Sequence, residues 1–64
     1  MNLATARTDA ASALNALALV ALHNRDRDLA ADCAWHRGNL LAAVGDAEIE
    51  RALGCVTAFL AKFA

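Results

Sequence analysis

An all-α fold, a small antiparallel bundle of three helices, is what three features of this 64-residue chain predict. Ala and Leu fill 28 of the positions and proline is absent, a composition that favours helix because neither side chain loses much freedom there. Three Val, one Ile, three Thr and three aromatics are too few to build a sheet. Apolar residues also recur at helical spacing in three segments separated by polar or glycine-containing breaks. At this length residues 1–64 form a single helical domain, close to the lower limit for folding alone.

The first helix is expected from about Leu3, or from a cap at Thr8 or Asp9, to about His23. At about 100° per residue, Leu3, Ala10, Leu14, Leu17 and Ala21 gather on one side and Thr5, Thr8, Ser12 and Asn15 on the other. Leu19 points into the polar side, and Val20 and Leu22 lie at opposite margins of the apolar arc. The segment from Asn24 to Asp28 has no apolar residue to bury and reads as a turn, with Asp28 as the cap of the next helix. That helix, Leu29 to Val44, carries Leu29, Cys33, His36, Leu40 and Val44 on one stripe. Gly45 and Asp46 then supply a stop and an N-cap, and Glu48 and Glu50 follow near the positive end of a third helix dipole. Its stripe of Ile49, Leu53, Val56, Leu60 and Phe63 is spaced four, three, four, three, a heptad seam. The alternative is a two-helix hairpin whose long C-terminal helix runs through Gly45. On one continuous wheel, however, the Leu29/Leu40 and Ile49/Leu60 stripes fall roughly half a turn apart, and a reversal at Gly45-Asp46 lets them face each other.

Apolar residues make up 59% of the chain, more than the roughly 45–50% of an average domain, while a chain this short buries only about 60% of its unfolded surface. The excess calls for cover by another copy or another protein. Charge narrows the choice of partner. Six basic and seven acidic residues give net −1 with the signs interspersed, so no basic face is supplied for nucleic acid. A Lys/Arg-rich membrane-surface helix is missing for the same reason. The uncharged run Ala10 to Asn24 is too short and too polar to span a bilayer, and no secretory leader pattern is read at the start. Cytoplasmic residence is the expectation.

The stretch Ala34-Trp35-His36-Arg37-Gly38-Asn39-Leu40-Leu41-Ala42-Ala43-Val44-Gly45-Asp46 resembles the first helix and turn of a tetratricopeptide repeat, with Gly38-Asn39 and Gly45-Asp46 at the family's spacing. Trp35 stands one residue closer to Gly38 than in that family, and no second copy follows at the repeat period. The resemblance implies a helix hairpin, a close approach of the paired helix at Gly38, and a protein-binding role. It implies no ligand.

Few residues could carry chemistry. His23, Cys33, His36 and Cys55 would suffice for one zinc ion, but only Cys33 and His36 have ligand-like spacing. Cys33 and Cys55 fall at similar heights in an antiparallel hairpin, so a disulfide is geometrically possible, with free thiols preferred where no secretory signal is read. Asp32 and His36 are i, i+4 neighbours without a nearby nucleophile, since Ser12 is the only serine, and the three glycines are too dispersed for a phosphate loop. No catalytic group, metal or cofactor is therefore expected.

Trp35 is the candidate for function. Its wheel position faces away from Leu29, Cys33 and Leu40, and its neighbours are Ala31, Gly38 and Ala42, so a large aromatic would stand among small residues as an interface anchor. With Leu19 it forms the expected partner-binding set. The expectation is a non-enzymatic interaction module, a homodimeric regulator or inhibitor masking a surface of another protein, of a class that includes phage-encoded chains. Two alternatives stay open. A nucleic-acid-binding bundle would require dimerisation to gather Arg7, Arg25, Arg27, Arg37 and Arg51 on one face; a metal- or redox-sensing hairpin would use Cys33, His36 and Cys55.

Overall fold

A computed structural model describes residues 2–63 and contains three helices: α1 (Leu3–His23), α2 (Arg27–Ala42) and α3 (Asp46–Ala61). They pack on one another as an antiparallel bundle, 35 Å along its longest axis. That length is set by α1, since 21 residues at about 1.5 Å each span about 32 Å.

α1 starts at the earlier of the two expected places. Asn2 caps it, its Oδ1 accepting from the backbone N–H of Ala4 at 2.9 Å and of Thr5 at 3.3 Å. Thr8 lies inside the helix and its hydroxyl donates back to the Ala4 carbonyl. At the other end the Asp26 N–H donates to the Ala21 carbonyl (2.8 Å) and the Arg25 N–H to that of Leu22 (3.0 Å). This is the paired closure of a Schellman motif, and it places Arg25 at φ 60, a left-handed position usually given to glycine.

The turn is consequently shorter than the charge run suggests, and the capping residue is Asp26 rather than Asp28. The Asp26 carboxylate accepts from the Leu29 N–H at 3.1 Å, which leaves Asp28 in the first turn of α2 beside the positive end of its dipole. α2 ends at Ala42, two residues before the expected Val44. Val44 is 78% exposed and leaves the predicted stripe, because the backbone has already turned extended at Ala43. Gly45, at φ +85, is itself the N-cap of α3, and Asp46 is the first helical residue rather than the cap. A glycine offers no capping side chain. Glu48 reaches back instead, its carboxylate accepting from the Val44 N–H at 2.9 Å. Arg7 of α1 ties down the same connection by donating to the Ala43 carbonyl.

The core is a single apolar layer. Leu14, Leu40, Val56 and Cys33 are its most deeply buried side chains, with Ala11 and Phe59 around them and Ala10, Leu17, Leu29, Leu53 and Leu60 packed partly buried at its edge. In α1 and α2 the buried residues lie on the expected stripes except Ala11, which lies beside the α1 stripe and is buried in the core. In α3 the seam is displaced: Leu53 and Leu60 are half-buried, Phe63 lies beyond the helix and is exposed, and Phe59, outside the seam, is buried. α3 touches both α1 and α2, so its buried arc widens toward the flank that carries Phe59. Gly38 also departs from expectation. A Cβ added there would meet nothing within 4 Å, so no helix approaches closely at that point.

Leu40→Ala should cost about 2–5 kcal/mol, comparable to the ~3–5 kcal/mol available to a core of this size, and leave the chain largely unfolded in thermal melts. Leu53→Ala should cost clearly less, because part of that side chain is already in water. Gly38→Ala, in open space on a helix, should stabilise by about 0.5–1 kcal/mol. Gly45→Ala, at positive φ, should destabilise by about 1 kcal/mol or more.

Candidate functional site

α2 and α3 together assemble a row of rings. The chain's three aromatics, at positions 35, 59 and 63, are joined in space through His36. Trp35 meets His36 edge-on at 5.0 Å between centroids, His36 lies tilted over Phe59 at 4.4 Å, and Phe59 meets Phe63 edge-on at 5.4 Å. The two edge-on contacts have separations and angles at which aromatic quadrupoles attract, and His36 and Phe59 are in close tilted contact between them. Phe59 roots the row in the core, and His36 is half-buried. The two ends reach solvent: Trp35 is 66% exposed and Phe63 49%. Adjacent residues on α2 supply the Trp35–His36 contact, and Phe59 of α3 meets Phe63 in the turn that follows the helix. Only the middle contact crosses between helices.

The expected partner-binding residues all lie at the surface. Leu19 is 68% exposed on the outer side of α1, and Ala31, Gly38 and Ala42 are exposed on α2 beside Trp35. The small residues do not form one continuous ring. Gly38 lines a shallow cleft of about 160 Å³ between α1 and α2, whereas Ala42 lines one of about 310 Å³ between α2 and α3, together with Asn39, Arg51 and Cys55. Trp35 stands outside both. A third and larger cleft, about 900 Å³ and open, lies between the starts of α1 and α3, where Arg7, Asp46 and Glu50 rim the apolar Leu3, Ile49 and Leu53.

His36, one half of the possible acid–base pair with Asp32, has its imidazole engaged by the rings of Trp35 and Phe59. Cys33 is buried and Cys55 exposed, and both thiols are free. Burial, with a smaller push from the neighbouring Asp32 carboxylate, raises the pKa of Cys33 above its ordinary value. Among the described residues no three His, Cys, Asp or Glu side chains converge in a way that could hold a metal ion. Within a single chain the five arginines named for a dimer's nucleic-acid face are dispersed. Arg25 and Arg27 sit at the α1–α2 connection, Arg7 at the opposite end, and Arg37 and Arg51 in two different clefts. No helix among the described residues is long and apolar enough to cross a membrane.

Comparison with family models, with curated proteins and with solved structures finds no match to this chain.

Trp35 and Leu19 are marked by their wheel positions, whereas the ring row leaves no such mark: the heptad spacing places Phe63 in the core seam and Phe59 outside it, and the structure has the reverse.

The two thiols should separate kinetically. At neutral pH a maleimide should label Cys55 in the folded chain, while Cys33, buried and with less thiolate because its pKa is raised, should react only after denaturation. Mass spectrometry of the labelled peptides checks this.

Proposed function

We propose that this chain is a non-enzymatic protein–protein interaction module, a small homodimeric regulator or inhibitor that masks a surface of another protein. The observation that carries the reading is the ring row. An indole that is two-thirds exposed yet held edge-on against His36, itself stacked on the core residue Phe59, is an ordered apolar projection. Such an anchor loses little rotamer freedom when it docks, and Trp is among the residues most often responsible for binding energy. Ala31, Gly38 and Ala42 leave low ground around it, so the ring stands free to enter a pocket. Asp28 and Asp32 share this flank of α2. A partner that offers an apolar pocket with a basic rim therefore fits best.

The total surface supports a chain built to be covered. It exposes 4448 Å², against about 3,900 Å² expected of a 6.7 kDa monomer. Leu19, Val20, Leu22, Leu41 and Val44 contribute to the difference alongside the aromatics.

Trp35→Ala tests the reading. The variant should keep its helical circular dichroism and melt within about 0.5 kcal/mol of the parent, as surface substitutions do, while losing the proteins that the wild-type chain retains from its native cell extract. A Trp35→Ala variant that unfolds would show that the indole serves the core and would remove the proposed anchor.

A further inference from the structure

The outer face of α1 carries a pattern of large and small residues that neither its burial nor the ring row uses. Ala11, Leu14 and Ala21 are the buried residues of α1, and the side opposite them holds Asp9, Ser12, Ala13, Ala16, Leu19, Val20 and His23, every one exposed. On the wheel this face is centred on Ala16. About that residue the positions of the face fall in pairs, as on any helix, and here each pair is unlike: Leu19 and Ala13 lie three positions either side, Val20 and Ser12 four, His23 and Asp9 seven.

We infer that this face is the seam of a two-fold symmetric dimer, with a second copy's α1 lying antiparallel across it and Ala16 on the axis. This rests on the homodimeric part of the proposed function and names the surface that forms it. When two such helices run antiparallel about Ala16, each large side chain meets a small one: Leu19 faces Ala13 of the other copy, and Val20 faces Ser12. The small residues let the helices approach, and the large ones fill the space left. Charge agrees with shape. Asp9 is the one charged residue of the face, and the same register sets it opposite His23 of the other copy, at both ends of the seam. A carboxylate opposite an imidazole can accept its N–H, whereas a parallel arrangement would set Asp9 against Asp9.

α1 lies with its other side on α2 and α3, so this seam leaves the Trp35 flank of α2 free.

Ala16→Cys in a Cys55→Ser background should form a disulfide-linked dimer under mild oxidation, because a residue on the axis meets its own copy within bridging distance. Trp35→Cys in that background should stay monomeric on denaturing gels. By sedimentation equilibrium at about 100 μM, the wild-type chain should be dimeric, and Leu19→Glu should raise the dissociation constant at least about tenfold with its helix content unchanged. Asp9→Lys should weaken the dimer several-fold, and adding His23→Asp should restore it, an effect that a merely structural role for either residue would not give. A wild-type dimer in which Ala16→Cys fails to cross-link while Trp35→Cys does would overturn the seam and leave the homodimer standing. A wild-type monomer at this concentration would remove both.

Discussion

Leu14 of α1, Leu40 of α2 and Val56 of α3 are almost wholly removed from water, and each comes from a different helix. They belong to one buried cluster, and that shared burial is what makes three short helices one object. None of these helices would persist alone, since isolated helices of 16–21 residues are marginal in water and these owe little to charge pairing. Around the cluster the chain has only one apolar layer, with no buried polar or charged residue among those described. The core is therefore set by shape and apolar area alone. Such a core tolerates little loss, and each helix is left with a second side that nothing within the chain covers.

Much of this architecture was legible in the sequence because it depends on local pattern. The three helices, the break at Gly45 and the burial of Leu14, Cys33, Leu40, Ile49 and Val56 all follow from helical periodicity and helix-stop chemistry. What periodicity could not provide was the choice among competing caps. Asp26 and Asp28 are chemically alike, and the difference between them is made by Arg25, which takes up a left-handed conformation that its side chain gives no reason to expect. Periodicity also fails where a helix has two neighbours. A heptad count assumes one seam, while α3 packs on both α1 and α2, which brings Phe59 inside and leaves Phe63 out.

The candidate site was legible in part for the same reason. Trp35 and Leu19 stand out on a wheel because they lie on the wrong side of their own helices. The ring row did not stand out, because its decisive contact joins His36 to Phe59, 23 positions apart in sequence and on different helices. A tertiary contact of that kind leaves no periodic trace. His36 thus has a packing place that its spacing from Asp32 and Cys33 does not suggest, between the exposed indole of Trp35 and the buried ring of Phe59.

The closure of α1 at Arg25 and Asp26 has a bearing on how copies of this chain can meet. Chains exchange whole elements when the loop between two helices can straighten into a hinge. Here the loop is barely a loop: two carbonyls of the last turn of α1 are already taken by N–H groups of Arg25 and Asp26, and Asp26 at once begins α2. Straightening it would break all three bonds and detach Leu14 from Leu40. Any contact between copies of this chain would therefore be made by finished bundles, surface to surface, and could be undone without unfolding.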